Sequence, residues 1–414
     1  MPIKNRYKST NKKCPFCRLQ AGHFWGELMK LKLNSRASDL VICVLFCSVY
    51  LPFAATAAVL IAAFAYFCIF QNGLSVFKKR FTWPVLILAV YAAVVAAANF
   101  NWIGLASAAG YFMLVTILLY CRERCSTKTF ELGLKLCCLF GTAVAILGYF
   151  DWYLSTYLVK SNEMYRCTLY FFNCNYLATV LATTVLICGY KILVFRKNIA
   201  LYAAAAALMA GAIYLTGSMF VWVEVLVGLA MLLLLTRKNQ LLSIVLLLAA
   251  AACIVLYCAP YLMPRLVDYS GVTTDNRLLI WRVALRDIAK NPLFGRGFLG
   301  YYHIYANYPG SYATTHCHNL LLDLLLNFGV VGTVFPIWFI VGYVKRAICC
   351  RNAQTKLQQT SLILAALAAL VVHATVDLTF LWIQTGLLYC LILGGIGGEE
   401  RLLGFDRADF GSAE

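Results

Sequence analysis

Arginine and histidine mark the one long polar stretch of this sequence, residues 260–319. Arg277 lies one helical turn before Trp281, and His318 directly precedes Asn319. The guanidinium of arginine is a planar fork of N–H donors that fits phosphate oxygens. Histidine changes its protonation near neutral pH and therefore suits general-base catalysis. Together they predict a site that holds a phosphorylated ligand beside a proton acceptor, although for His318 taken alone a structural role in capping a helix is the favoured interpretation.

Metal binding is a second chemistry that these residue types allow. His316 and His318 are two residues apart, but only Asp323 is close enough in sequence to add a third ligand. Cys14 and Cys17 resemble half of a zinc site that lacks its second pair. We therefore expect no bound metal and no cofactor.

The elements that must position these residues are membrane helices. The 414-residue chain is 62% hydrophobic and only 13% charged, whereas soluble domains are nearer a quarter charged. The sequence therefore predicts an all-α polytopic membrane protein of about twelve transmembrane helices, with a large external loop between helices 9 and 10. This organisation divides the chain into a basic N-terminal segment (1–38), helices 1–9 (39–259), the loop that carries the site (260–319), helices 10–12 (320–398) and a polar tail (399–414).

The net charge of +18 comes largely from lysines and arginines in short connections between apolar runs. Such clusters are typical of cytoplasmic loops. We therefore expect both termini in the cytoplasm and the loop outside, and we do not expect nucleic-acid binding.

Within the loop, Thr274 or Asp275 can cap a helix that starts near Asn276 and ends before Asn291-Pro292. This helix would lie along the outer membrane surface with its apolar face toward lipid or toward the helix bundle; the members of that face are Leu278, Trp281, Leu285 and Ile288. Arg282 and Arg286 lie on other faces, where contact with lipid phosphates is their simplest role.

Ionisable residues inside apolar spans are costly and often functional. Besides Glu224, we single out His373 and Asp377, which lie one helical turn apart near the end of the eleventh span. We expect these two side chains to form a hydrogen-bonded pair, which either lines the site or is purely structural.

A family resemblance is carried by three motifs. The first is His318-Asn319, then Gly329 and Gly332; the second runs from Arg277 to Trp281 and continues in residues 291–297; the third is Phe172–Ala178. This pattern resembles the signature of bacterial O-antigen ligases and is similar to that of O-antigen polymerases. The resemblance is specific over about 270–335 and diffuse elsewhere.

The resemblance implies a metal-independent glycosyltransferase of the GT-C-like membrane type, located in the bacterial cytoplasmic membrane. It implies an undecaprenyl-pyrophosphate-linked glycan as donor, a sugar as acceptor and possible polysaccharide-assembly proteins as partners. His318 would be the base, Arg277 a pyrophosphate ligand, and Asn319 and Trp281 further binding residues. The product would be a surface polysaccharide such as O-antigen, lipopolysaccharide or capsule.

One position departs from the family pattern. The family often carries Thr-x-Ser-Arg at the end of a middle helix, with the arginine facing the pyrophosphate, whereas this chain has Met219 after Thr216-Gly217-Ser218. Arg166 and Arg265 are the candidates to replace that arginine. A lipid-linked glycan transporter and a non-catalytic scaffold of the same family are the alternative functions.

Overall fold

The computed structural model describes residues 36–157, 166–263, 270–352 and 358–403, and within these ranges the regular structure is helical. The N-terminal segment up to residue 35 and residues 404–414 lie outside them. Twelve helices correspond to the twelve predicted spans. They are α1 (36–48), α2 (Phe53–Phe70), α3 (Trp83–Ala98), α4 (Trp102–Arg124), α5 (Thr127–Tyr157), α6 (Cys174–Tyr190), α7 (Ile199–Thr216), α8 (Phe220–Leu235), α9 (Asn239–Cys258), α12 (Leu320–Asn352), α13 (Gln359–His373) and α14 (Ile383–Gly394).

Eight of the described helices are long and apolar enough to cross a membrane, and α8 and α13 are shorter apolar helices. The predicted fold class, an all-α polytopic membrane protein, is confirmed. Three further helices are α10 (Ser270–Lys290) and α11 (Gly300–Ile304) in the loop, and α15 (Ile396–Leu402) after the last apolar helix. We call the end of the bundle that carries α10 and α11 the site face and the other end the opposite face.

The first apolar run folds as the expected pair of short helices around Pro52. Proline lacks a backbone N–H and interrupts the helical hydrogen-bond ladder. The hydroxyl of Thr56 donates to the carbonyl of Ser48 at 2.6 Å, so the end of α1 keeps a partner. This bond satisfies a backbone group that a helix end otherwise leaves open.

Helix α12 is broken at Gly329, whose backbone is not helical (φ 61°, ψ −172°). A break inside a membrane helix leaves carbonyl and N–H groups that need partners from the protein. The segment Pro292–Gly297 provides them on both sides of the break. The four bonds run from the N–H of Arg296 to Leu326 O (2.9 Å), Gly297 to Asn327 O (2.7 Å), Val330 to Pro292 O (2.9 Å) and Val331 to Leu293 O (3.1 Å).

Two glycines of α12 lie at close contacts, as expected. A Cβ atom on Gly329 would come within 2.2 Å of the Leu293 carbonyl oxygen, and one on Gly332 within 2.3 Å of the Tyr91 ring. Gly329 also has a positive φ, which other residues adopt only at a cost. The motif that spans these glycines therefore locks the loop to the broken helix.

Helix α10 starts at Ser270, earlier than predicted, and packs on the protein. Its buried residues include Ile280, Val283 and Ala284. Of the predicted apolar face, Trp281 and Ile288 pack on the protein, whereas Leu278 and Leu285 are 42% and 55% exposed. The partner surface, formed by side chains from α11 and α12, decides which face is covered.

The end of the loop is clamped to the connection between α3 and α4. Arg296 pairs with both carboxylate oxygens of Asp287 (2.8 and 3.0 Å) and donates to Asn99 Oδ1 (2.9 Å). The hydrogen bond from Asp287 raises the pKa of the guanidinium further above its already high value. Arg296 therefore holds the loop in place and is not free to bind a ligand.

The predicted polar tail begins with ordered structure. Glu399 and Glu400, the first residues of this tail, belong to α15 and are buried. The reason is ion pairing, because Glu400 accepts two hydrogen bonds from Arg122.

Candidate active site

Asp377 is the centre of the site. It follows α13 in the connection to α14 and is buried (4% exposed). Its Oδ1 lies 2.9 Å from Nδ1 of His318 and 3.0 Å from Nε2 of His316, and it accepts the N–H of Leu378 at 2.8 Å. The two histidines approach from the loop end before α12, so three side chains from two connections meet at one carboxylate oxygen.

The charge of Asp377 determines what His318 can do. Burial raises the pKa of this carboxyl, but the hydrogen bonds from His316 and His318 outweigh it and hold the pKa well below its usual range. An ionised carboxylate only accepts hydrogen bonds, so Nδ1 of His318 carries the proton. The lone pair of a neutral His318 is then on Nε2, which lies 3.2 Å from the hydroxyl oxygen of Thr314. This arrangement is suited to accepting a proton at Nε2.

His318 adopts a left-handed backbone conformation with φ 50°. Such a conformation costs of order 1–3 kcal/mol for a residue other than glycine. Asn319 follows and caps α12, because its Oδ1 accepts the N–H of Leu322 at 3.1 Å. Its Nδ2 donates to the carbonyl of Thr375 at 3.1 Å, two residues before Asp377. Asn319 thus joins the two connections that form the site.

Asn175 and Arg166 extend the site to the start of α6. The amide of Asn175 donates to Oδ2 of Asp377 at 2.7 Å, and its own Oδ1 accepts from Nη2 of Arg166 at 3.2 Å. Nε of Arg166 donates to the carbonyl of Thr216 at 2.9 Å. A continuous chain of hydrogen bonds therefore runs from a guanidinium through Asn175 and Asp377 to His318.

Arg166 lies close to the turn where this chain has Met219 in place of the arginine that the family often carries. Thr216 begins the short turn that leads into α8, and this turn is where Met219 stands. Arg166 thus lies against the turn that would otherwise carry the arginine. The second candidate, Arg265, lies outside the described residues.

Trp281 fixes α10 to the same site. Its indole Nε1 donates to the carbonyl of Cys317 at 3.1 Å, between the two histidines. Residues four apart share a helix face, so Arg277 faces the side on which Trp281 makes this contact. The Arg277 charge is also close enough to interact with the imidazole of His373.

His373 does not pair with the side chain of Asp377, so this prediction is wrong. Its Nδ1 lies 2.7 Å from Oε2 of Glu224, whose Oε1 accepts from the Tyr389 hydroxyl at 3.1 Å. Helix α13 ends at His373, and the chain turns before it reaches Asp377. Two residues that share a face in an uninterrupted helix are thereby directed to different partners.

The cluster of His316, His318 and Asp377 has the donor set of a metal site. One ligand atom from each residue lies within 4.8 Å of the others, and two imidazoles with one carboxylate suit a divalent transition metal. Asp323, which the sequence offered as a third metal ligand, instead accepts hydrogen bonds from the backbone N–H of Cys317 and from the side-chain amide of Asn327.

Two residues of the site escaped the sequence reasoning. Asn175 lies inside the motif Phe172–Ala178, whose polar residues at the start of an apolar helix were a usable signal. His316 was considered only as a metal ligand, because its partner Asp377 is 61 residues away in the chain.

The comparison with protein families gives one match. Residues 204–337 match the family model described as O-Antigen ligase. The matched segment includes the turn at Met219, helix α10, the histidines and the break at Gly329. No curated protein matches the chain. This match supports glycan transfer of the ligase or polymerase type as the general activity.

Proposed function

We propose that this chain, which belongs to the O-antigen ligase and polymerase family through residues 204–337, transfers an oligosaccharide from undecaprenyl pyrophosphate to a hydroxyl of a sugar acceptor. The observation that carries the proposal is the approach of His318, fixed by an ionised Asp377, to the helix face that bears Arg277. A base and a cationic ligand for phosphate then share one site.

In the proposed reaction, Nε2 of His318 takes the proton of the acceptor hydroxyl. The acceptor oxygen forms a bond to the anomeric carbon of the donor sugar, and the bond from that carbon to the pyrophosphate oxygen breaks. The electron pair leaves with undecaprenyl pyrophosphate. Arg277 and Arg166 stabilise the negative charge that develops on the leaving group. The charge of Asp377 stabilises the imidazolium that forms on His318.

We propose that the site face is extracytoplasmic. Basic clusters occur in connections at the opposite face, such as Lys78–Arg80 and Arg237-Lys238, whereas the turn between α3 and α4 at residues 99–101 has no charge. This asymmetry follows the positive-inside rule. It places transfer on the outer side of the cytoplasmic membrane, where surface polysaccharide is completed, with both termini in the cytoplasm.

We also propose that the reaction needs no metal. The donor hydrogens of both imidazoles are directed to Asp377 Oδ1. His316, His318 and Asp377 therefore satisfy one another by hydrogen bonds and need no metal ion between them. Transfer in excess EDTA should match transfer in untreated enzyme. Loss of activity in EDTA, with recovery on addition of Zn²⁺ or Mn²⁺, would replace the base mechanism by a metal-bound one.

The test is transfer in vitro from an undecaprenyl-pyrophosphate-linked oligosaccharide by the purified protein. His318→Ala should lose on the order of a hundredfold or more, as expected for a missing general base, and Arg277→Ala should weaken donor use. The matched controls are His303→Ala and Arg282→Ala, because both side chains are exposed on the same loop. Equal turnover in all four variants would refute the mechanism, and movement of the labelled donor across liposomes without a new glycosidic bond would indicate a transporter.

A bacterial strain that lacks the gene for this protein distinguishes a polymerase from a ligase. Surface chains cut to one repeat unit indicate a polymerase, and full chains left on the lipid carrier indicate a ligase. Of the two, we favour the polymerase, or a general surface-polysaccharide enzyme.

A further inference from the structure

A cavity of about 670 Å³ lies at the opposite face, between the end of α6, the start of α7 and the connection from α8 to α9. Residues of the first turns of α7 and α9, such as Ile199 and Leu241, are part of its lining. Helix α7 runs for 18 residues from Ile199 to Thr216, whose carbonyl accepts the hydrogen bond from Arg166. Roughly 27 Å of helix therefore separates this cavity from the proposed active site.

Three cationic side chains line the cavity, those of Arg196, Arg237 and Lys238. Within the part of the chain that the structure describes, none of the three forms an ion pair or a side-chain hydrogen bond. The described lining residues include no carboxylate. Three like charges around one cavity repel each other and attract an anion.

The acidic residue that approaches the end of α6 is already paired. Glu131 forms an ion pair with Lys191 and accepts the hydroxyl hydrogen of Tyr190 at 2.7 Å. Arg351 brings a further positive charge to the end of α8, because its Nη2 donates to the carbonyl of Leu235 at 2.9 Å. The neighbouring elements thus add no free negative charge that would compensate the three cations.

Two helix starts add partial positive charge to the same cavity. Helices α7 and α9 begin after Asn198 and Lys238, and neither start has a side-chain cap or an acidic residue in its first turn. The first N–H groups of a helix have no partner within the helix and carry partial positive charge. An anion in this cavity would therefore meet side-chain cations and two helix starts together, an arrangement that favours phosphate.

The remaining lining and its surroundings are apolar. Ile192, Ile199 and Leu241 line the cavity, and Leu201 and Ile244 are exposed further along α7 and α9. None of the residues of α9 is buried, so this helix presents apolar side chains to the membrane along its length. A ligand with an anionic head and a hydrocarbon chain is complementary to both parts, whereas a free phosphate ion would use only the charged part.

We propose that this cavity binds the phosphate headgroup of an anionic membrane lipid. Arg196, Arg237 and Lys238 are its ligands, and the acyl chains lie along the exposed sides of α7 and α9. Because the site face is proposed to be extracytoplasmic, the lipid belongs to the cytoplasmic leaflet, whose anionic lipids attract basic residues. The binding itself does not depend on the proposed reaction.

Native mass spectrometry of the full chain in detergent tests the proposal, with dioleoyl phosphatidylglycerol and dioleoyl phosphatidylcholine as probes. Arg196→Gln should lower the affinity for phosphatidylglycerol about tenfold, as loss of one charge-assisted hydrogen bond implies. Lys197→Gln is the matched control, because Lys197 carries the same charge in the same connection but does not line the cavity. Its affinity should stay within about twofold of wild type. A general attraction between basic loops and anionic lipids would instead lower both affinities equally, and that result would overturn the proposal.

Leu241→Trp provides an independent variant, because it fills the cavity and keeps every charge. It should lower the affinity for phosphatidylglycerol about tenfold, whereas Val255→Trp, an exposed position near the other end of α9, should bind like wild type. Wild-type binding without preference for phosphatidylglycerol, or equal affinities of the two tryptophan variants, would overturn the proposal. Displacement of phosphatidylglycerol by equimolar inorganic phosphate would also overturn it and would assign the cavity to the free ion.

Discussion

Replacing Asp377 by asparagine tests whether the site works as a base held by a carboxylate. The substitution keeps the size of the side chain and removes its charge. A hydrogen bond to a charged group contributes roughly 1.5–3 kcal/mol, and the bond from Nδ1 of His318 at 2.9 Å is of this kind. Because 1.36 kcal/mol is a factor of ten in rate, we expect kcat to fall roughly 10- to 150-fold.

The assay is single-turnover transfer from a fluorescent undecaprenyl-pyrophosphate-linked donor, which separates chemistry from donor binding. The donor KM should change less than kcat, because Asp377 acts on His318 and not on the pyrophosphate. Glu224→Gln is the matched control, since Glu224 is also a buried carboxylate paired with a histidine, His373. We expect its rate to stay within about threefold of wild type, a change of well under 1 kcal/mol.

Two results would refute the reasoning. If Asp377→Asn retains wild-type kcat with an unchanged unfolding temperature, the carboxylate does not position the base. If Glu224→Gln and Asp377→Asn lose the same activity, the loss reflects the integrity of the bundle and not the arrangement of His318.

Three further predictions concern Arg166, Gly329 and pH. Arg166→Gln should raise the donor KM about tenfold, because one charge-assisted hydrogen bond to the donor is lost. Adding Met219→Arg to the Arg166→Gln variant should restore donor use. If neither effect is observed, Arg166 is not a ligand of the donor. Gly329→Ala should lower the midpoint of thermal unfolding by several degrees, because a Cβ atom there meets the Leu293 carbonyl oxygen at 2.2 Å, whereas Gly110→Ala in open space should not. The pKa of Asp377 is depressed in the folded state. The ionised carboxylate therefore contributes its full stabilisation above about pH 4, the pKa of an aspartate in the unfolded chain, and this stabilisation is lost as the pH falls through the pKa of Asp377 in the folded state. Wild type should therefore lose more stability between pH 5 and pH 3 than Asp377→Asn, and parallel losses would contradict the assignment.

Local sequence patterns predicted the membrane helices well, because a span needs a long apolar run and its ends carry charge or turn residues. The pair of short helices around Pro52 follows from the same local chemistry. The buried face of α10 did not follow. Leu278 and Leu285 have the right spacing, but the face that becomes covered depends on which element packs against it.

The site shows the same division. The residue types allowed His318 as a proton acceptor and Arg277 as a phosphate ligand, and the family resemblance assigned these roles to them. The partner of His318 could not be predicted from the sequence, because Asp377 lies 59 residues away. Helical spacing predicted His373 as the partner of Asp377 instead. Only the end of α13 at His373 separates His373 from Asp377. Only the packing of α6 against the bundle brings Asn175 to the carboxylate of Asp377, with Arg166 bonded to Asn175 behind it. The sequence by itself thus determined a helical membrane protein with His318 and Arg277 in one loop. The tertiary structure decided which charged groups meet, because hydrogen bonds act over about 3 Å and that distance is set by how distant segments pack.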